Sequence, residues 1–373
     1  MIKVLEVENN KGIKQFIDFQ HKLYKGDENY VPELYIAQKK FLNKKKNPFF
    51  KHSEADLFLA YKDNKIAGRI AAIKNNNYNK HWDSNVGFFG FFDVIDDYEV
   101  AKTLLDTAVN WAKERKLDAI LGPENFSTND TCGVLIDGYD SAPVIGMTYN
   151  KKYYLDFLEK YGFKKEVDIL AYNLETNEMP EKLLRVSNMI EKRLNDNGIT
   201  IRNLDMKKFD TEIEKVKKVY NSAWDRNWGF VPFTDEEFDV VAKDLKTAAN
   251  PDFAFIAEKG DEVVGVAFTA NDLNKALIKL KKGRLFPFGI FSFLKAQKKI
   301  DNVRIIILGV IDGYRKLGID VCFYAKTVQA AKDNNIARGE ASWILETNKM
   351  MNNALLDINA KVYKRYRIFK YDI

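Results

Sequence analysis

Cysteine and histidine are scarce in this chain of 373 residues, which holds only Cys132 and Cys322 of the first and His21, His52 and His81 of the second. There is no CxxC pair and no ligand-spaced histidine cluster, so neither a structural zinc site nor a disulfide framework is expected. No apolar run reaches the roughly 18 uninterrupted residues needed to span a bilayer. The opening MIKVLEVENNKGIKQF has no apolar core of the secretory kind, which predicts a cytoplasmic protein. A formal charge of +6, from 59 basic and 53 acidic residues, falls well short of the dense basic stripe of a nucleic-acid binder. No nucleic-acid partner is expected, and the mild positive balance suits an anionic small ligand.

What is present is ample apolar content, 46% of residues, in a chain long enough for two cores. Period-2 and helical patterns change places repeatedly, which implies strands interleaved with helices. KVLEVEN (3–9) reads as a strand, KGIKQFIDFQHKLY (11–24) as an amphipathic helix, and 55–75 as two strands around a KDNK turn. VGFFGFFDV (86–94) is a buried strand, and Ala101, Leu104, Leu105, Ala108 and Ala112 then recur at helical spacing before the strand LDAILGP (117–123). The same order returns after Thr200. AYKDNKIAG (60–68) aligns without a gap on AEKGDEVVG (257–265), and VIDDY (94–98) on VIDGY (310–314), the mark of an internal duplication. The seam falls in the turn-rich stretch and connecting helix of 176–198.

The two copies differ where a buried strand turns into a helix. From Tyr314 to AKDNN (331–335) the second copy spends three more residues than the first does from Tyr98 to AKERK (112–116), and the extra residues fall near RKLGI. The first N–H groups of a helix have no partner within it, and its dipole places partial positive charge there, so such an end accepts anions, phosphate above all. Gly318 carries no Cβ to block close approach, and Arg315 with Lys316 can reach phosphate oxygens.

GVIDGYRKLGIDV (309–321) resembles the RxxGxG/A pyrophosphate loop of the GNAT acyltransferases, which grip coenzyme A at the end of their fourth strand. RGEASWILETNKMMNNALLDINAKVYKRYRIF (338–369) resembles the remainder of that fold: a fifth strand, an Asn opening the next helix and a last hairpin. In the first half GFFGFFDVIDDYEVAKTLLDTAVNWA, GPENFSTND and YNKKYYLDFLEKYGF resemble GNAT-like proteins of about this length. The resemblance implies an α/β (α+β) architecture of two tandem GNAT folds. Each is a mixed, mostly antiparallel sheet flanked by helices, with splayed fourth and fifth strands. It divides the chain into an N-terminal domain, 1–177, lacking the phosphate loop, a connecting helix, 178–198, and a C-terminal domain, 199–373, that binds coenzyme A. Val310, Ile311, Arg315, Lys316, Leu317, Gly318, Ile319, Asp320 and Asn348 would then hold the co-substrate, acetyl-CoA or a longer acyl-CoA.

Two positions depart from the pattern. Asp320 stands where the loop's last Gly or Ala is expected, and its carboxylate competes with phosphate. Leu355 stands where many relatives carry a general-acid Tyr. The implied activity is N-acylation of an amine, with a catalytically inactive binding or regulatory module as the alternative. A further resemblance, to the bacterial acyltransferases that N-acylate sphingoid bases, makes a lipid amine a candidate acceptor beside small-molecule amines.

Acyl transfer from a thioester needs a neutral amine, a polarised carbonyl and a proton for the leaving thiolate. On the strand RGEASWILE, alternation puts Glu340, Ser342, Ile344 and Glu346 on one face, with Glu340 and Glu346 about 20 Å apart, too far to act as a pair. Glu346, Glu340 and His81 are the candidate bases. Glu124, Asn125, Ser127 and Asn129 in GPENFSTND, with Tyr149 and Asn150 in MTYNKKYY, are the candidate acceptor residues; turn formation and aromatic packing explain the same composition. Segment 274–300 has eight basic residues, no acidic ones and LFPFGIFSFL at its centre. It reads either as a peripheral membrane contact or as a hairpin arm packed on the core.

Overall fold

The computed structural model describes the backbone of all 373 residues and every side chain except those of 244, 245 and 247–249. Along the chain run β1 (Ile2–Glu6), α1 (Asn10–Leu23), α2 (Tyr35–Phe41), β2 (Glu54–Lys62), β3 (Lys65–Lys74), α3 (Asn76–Trp82), β4 (Val86–Val94), α4 (Tyr98–Glu114), β5 (Ala119–Gly122), β6 (Val134–Asp137), α5 (Tyr153–Tyr161) and β7 (Lys164–Glu175). Then follow α6 (Glu181–Asp196), β8 (Ile199–Asn203), α7 (Phe209–Ala223), α8 (Asp235–Ala248), β9 (Ala249–Lys259), β10 (Glu262–Asn271), α9 (Asn274–Leu277), α10 (Gly289–Gln297), β11 (Asn302–Val310), α11 (Ile319–Asp333), β12 (Arg338–Leu345), α12 (Lys349–Asp357) and β13 (Lys361–Asp372).

Two compact units result, and neither is continuous in sequence. The first comprises Met1–Ile169, Leu273–Lys298 and Lys364–Ile373, and the second Leu170–Asp272 and Lys299–Tyr363. The segment after β10 and the last ten residues are thus built into the first unit, and α6 into the second. In the first unit β1 to β4 form an antiparallel meander, and β5 joins β4 in parallel. The end of β13 then pairs antiparallel with β5 and β6. In the second unit β8 to β11 repeat the meander and β12 joins β11 in parallel. The duplication read from two short echoes is therefore a duplication of topology.

In each unit the parallel pair is short and then opens. β4 and β5 pair only from Val86↔Ala119 to Phe88↔Leu121, and β11 and β12 only from Asn302↔Arg338 to Ile305↔Ala341. Beyond those points the fourth strand carries a bulge, at Phe91 and Phe92 in the first unit and at Ile306 in the second. A bulge bends its strand and ends regular pairing, which is how a sheet splays without a break in the chain. Phe91 sits at φ 48, and Asn125 Oδ1 accepts its N–H at 2.7 Å, so the loop after β5 fixes the bulge. Gly90 makes that approach possible, because a Cβ there would lie 1.9 Å from the Glu124 carbonyl oxygen.

The core of the first unit lies between its sheet and α4 and α5, around Ile70, Phe89, Leu104, Leu105, Tyr154 and Phe369. In the second unit one core joins α11 to the sheet through Phe255, Val264, Cys322 and Phe323, and another joins α7 and α8 to it through Ile213, Val216, Phe238 and Ile256.

Candidate functional site

Asp97 and Gly313 occupy the same place in the aligned echo, and the helices that follow begin differently because of it. The Asp97 carboxylate accepts from the N–H groups of Glu99 and Val100, so α4 is capped by its own chain. In the second unit Gly313, at φ 87, begins a longer turn, Gly318 at φ 89 precedes α11, and no side chain caps that helix. The first helix end is filled by an anion of the protein. The second leaves its first-turn N–H groups without a side-chain partner, the condition under which an external anion binds.

The loop residues have further duties. Arg315 donates through Nε to the Val310 carbonyl at 3.1 Å and through Nη2 to the Ala223 carbonyl at 2.8 Å, and its Nη1 pairs with Asp312 at 2.9 Å. Its guanidinium therefore ties β11, the end of α7 and the turn together. Gly318 lies under Ile190 of α6, which would stand 2.9 Å from a Cβ at that position. Arg193 donates to the Leu317 carbonyl, Val310 and Ile319 are buried in the core, and the Lys316 side chain stands in solvent. Asp320 lies in the first turn of α11.

Asn348 caps α12, accepting from Met351 N–H at 3.1 Å. Leu355 is fully buried. Glu340 is buried opposite Arg304 in the register, accepts from the Ser342 and Tyr363 hydroxyls, and shares Ser342 with Arg304 Nε at 3.0 Å. Burial pushes its carboxyl upward against the pull of that guanidinium. Glu346 lies just beyond the end of β12, half-buried, two residues before the α12 cap. Beside the parallel pair the second unit holds a space of about 30 Å³, lined by Val303, Ile305, Tyr324 and Val328 among others.

The first unit holds a far larger cavity, of about 370 Å³, at the mouth where β4 and β5 part. Its walls are Phe91, Phe92 and Asp93 of β4, Pro123 and Asn125 after β5, Pro143 and residues 145–150, residues 30–34 with Ala37, and Leu273, Asn274, Leu277 and Phe293 from the segment after β10. Of the acceptor residues expected from sequence, Asn125, Tyr149 and Asn150 line it. Tyr149 donates to Asp27 at 3.0 Å, and Asn150 brackets the Leu135 backbone, accepting at 2.7 Å and donating at 3.2 Å.

Glu124, Ser127 and Asn129 do not line the cavity. Ser127 Oγ accepts from the Asn129 N–H, a turn role. Glu124 is buried with Oε1 unpartnered among the described residues, and burial pushes its carboxyl up to about 8. His81 is exposed on α3, its ring edge-on to Trp82 at 5.1 Å, and does not line the cavity either.

Sequence reasoning missed the strongest polar feature of this cavity. Arg69 of β3 and Asp93 of β4 form a buried ion pair with Nη2 and Nε at 2.7 and 2.8 Å from Oδ2. Tyr24 and Tyr154 each donate to Asp93 Oδ1 at 3.1 Å. Burial raises the Asp93 carboxyl, while the guanidinium and the two hydroxyls pull it down. The signal was one charge in each of two apolar strands, AGRIAAI and GFFGFFDV, since a buried charge needs a partner.

His21 packs behind the same wall. Its Nδ1 lies 2.9 Å from the Tyr30 hydroxyl, Nε2 has no partner among the described residues, and burial lowers it to about 4. The ring is neutral in the folded protein, so its contribution is whole above the unfolded value near 6.5 and is lost as pH falls toward 4. The stability difference between the wild type and His21→Gln should shrink by about 1.4 kcal/mol per pH unit across that window. Urea midpoints at pH 7 and pH 4.5 read it, and a pH-independent difference would refute a buried neutral ring.

No protein-family model matches the chain. It is 32% identical over 373 residues to Protein YghO of Escherichia coli (strain K12), the alignment covering 98% of this chain and 94% of that protein. It is 31% identical over 379 residues to bacterial ceramide synthase of Caulobacter vibrioides (strain NA1000 / CB15N), covering 99% and 97%. Among solved structures it resembles a tandem GNAT protein from the clavulanic acid biosynthesis pathway, with a TM-score of 0.60 at 8% identity, over 100% of this chain and 98% of that one. It also resembles a GCN5-related N-acetyltransferase from Sphaerobacter thermophilus, with a TM-score of 0.52 at 11% identity, over 100% of this chain and 95% of that one. Topology, splayed strands and these likenesses define a tandem GNAT fold. Within that class, the chain belongs to the family that contains YghO and bacterial ceramide synthase.

Proposed function

We propose that this protein is an N-acyltransferase that moves an acyl group from acyl-CoA to an amine, and that the amine is a lipid precursor. The observation that carries the reading is the uncapped start of α11 at the open end of β11, set against the Asp97-capped start of α4. A doubly charged pyrophosphate suits the former and is repelled by the latter. Residues 310–320 hold the donor in this reading, with Arg315 shaping the turn through its two backbone acceptors and adding positive charge.

The acceptor takes the cavity of the first unit, whose lining is mostly apolar with a few convergent polar groups, Tyr149, Asn150 and the Arg69–Asp93 pair among them. A lipid amine is supported by that lining and by the relative named bacterial ceramide synthase. In the reaction the amine nitrogen bonds to the thioester carbonyl carbon, the carbon–sulfur bond breaks, the amine loses a proton and the thiolate gains one. Of the three candidate bases we assign the proton to Glu346, since Glu340 is committed to Ser342 and Tyr363 and His81 to the surface of α3.

A thiol-release assay tests the reading, with CoA thioesters from acetyl to palmitoyl and amines from glucosamine to long-chain amino alcohols. Arg315→Glu should weaken donor binding more than tenfold. Ala37→Trp, at an exposed cavity wall, should raise the acceptor KM about tenfold with the donor KM unchanged. Calorimetric CoA binding without thiol release would favour the second reading, a binding module, to which the buried Leu355 at the general-acid position already points. Absence of both would end the donor assignment.

A further inference from the structure

The segment between β10 and β11 is helical rather than a hairpin, and its aromatic residues do not fill a core. Its start is anchored in the first unit: Asn274 Nδ2 donates to the Pro143 carbonyl at 2.9 Å, and Gly283 lies so close to Glu33 that a Cβ would stand 1.7 Å from its carbonyl oxygen. Arg284 stacks over Tyr35 with 4.0 Å to the ring centroid. Past these anchors the chain turns outward. Phe286, Phe288, Phe291 and Leu294 are 77%, 79%, 71% and 48% exposed, and α10 contains no buried residue.

The helix is two-sided in its use. Ile290, Phe293 and Ala296 recur at helical spacing on a half-buried face, and Phe293 joins Leu277 in the cavity wall. Phe291 and Leu294 stand on the opposite, solvent face. Lys281, Lys282, Arg284, Lys295, Lys298 and Lys299 flank them, all exposed and none in an ion pair among the described residues. The 27-residue stretch 274–300 has eight basic residues and no acidic one.

We infer that residues 285–299 form an anionic-bilayer docking surface, in which the Phe286, Phe288, Phe291 and Leu294 side chains enter the acyl boundary and the flanking cations meet lipid phosphates. A surface of exposed aromatics ringed by one sign of charge is what interfacial segments present to anionic lipid. An apolar patch of this kind also needs a cover. Charge selects the cover here, because a segment whose own sequence holds eight basic residues and no acidic one repels a second copy of itself. Among the described residues no helix is long and apolar enough to cross a membrane, so the contact is peripheral. Since α10 lines the cavity with Phe293, the docked segment places that cavity's wall at the lipid surface. The inference does not depend on the acyl-transfer reading.

Flotation of the full chain with vesicles tests it. The protein should float with phosphatidylcholine vesicles containing phosphatidylglycerol, should bind phosphatidylcholine alone at least about tenfold less, and should be released by high salt. Combined Phe286→Ser, Phe288→Ser, Phe291→Ser and Leu294→Ser should cut the floated fraction more than about tenfold with the urea midpoint unchanged. Combined Lys295→Glu, Lys298→Glu and Lys299→Glu should remove the preference for phosphatidylglycerol. Failure of the wild type to float, or flotation indifferent to both variants, overturns the inference. So does a concentration-dependent dimer on size exclusion that the serine variant abolishes, since a second copy would then be the cover.

Discussion

Replacing Asp93 by alanine should cost about 3–5 kcal/mol of folding stability, a large share of the roughly 5–15 kcal/mol that holds an ordinary native protein together. The guanidinium of Arg69 is almost wholly inaccessible, and among the described residues the carboxylate it pairs with is Asp93. Its remaining contacts, donation to the Phe16 carbonyl at 3.0 Å and a position over the Phe16 ring at 4.8 Å, do not neutralise it. Removing the carboxylate therefore leaves a desolvated positive charge and also takes the acceptor from the Tyr24 and Tyr154 hydroxyls. Removing both charges is a different matter, because an apolar pair of similar volume avoids the desolvation of either ion. Arg69→Met with Asp93→Leu should be less damaging than Asp93→Ala alone. Urea midpoints of the three variants decide it. An Asp93→Ala midpoint within error of the wild type would mean that the pair is solvated, and the polar wall assigned to the cavity would have to be withdrawn.

Glu124→Gln should abolish a pH dependence rather than merely shift stability. Burial holds the Glu124 carboxyl near 8, against an ordinary value of 4.5, with Asp130 adding repulsion. The folded protein keeps this proton through the neutral range while the unfolded chain releases it. Its contribution is thus fully present below about pH 4.5 and is lost as pH rises through about 8. The loss approaches about 1.4 kcal/mol per pH unit and sums to roughly 5 kcal/mol. Glutamine fills the same space without a proton to lose, so the variant should gain on the wild type steadily from pH 5 to pH 8. Parallel curves for the two proteins would show that water reaches the carboxyl. The trend is opposite in sign to that of His21, which weakens the fold on the acid side.

The architecture was legible because the duplication was. An ungapped echo of five residues, VIDDY and VIDGY, located the end of the fourth strand in both units and singled out the loop between Gly313 and Ile319. Polar residues crowded after a buried strand end pointed to Asn125, which lines the cavity, but equally to Glu124, Ser127 and Asn129, which do not; Tyr149 and Asn150, on its wall, were singled out from the aromatic stretch MTYNKKYY. Gly318 was less transparent. Sequence read it as room for phosphate, whereas part of its reason is Ile190 of α6, a neighbour distant in sequence that only packing brings close. Arg69 and Asp93 lie 24 residues apart, and only the register of β3 against β4 sets them face to face. LFPFGIFSFL is apolar on nearly every side, so periodicity could not tell the half-buried face of α10 from the exposed one.

The last ten residues of the chain, which pair with β5 and β6, carry a consequence for the order of assembly. On the ribosome the N-terminal unit cannot be finished when its own stretch of sequence has emerged, because the strand that covers β5 is translated only after the whole second unit. Until that strand emerges, β5 is left with an open edge, a template for wrong partners. Expression of the first 170 residues alone should therefore give aggregate.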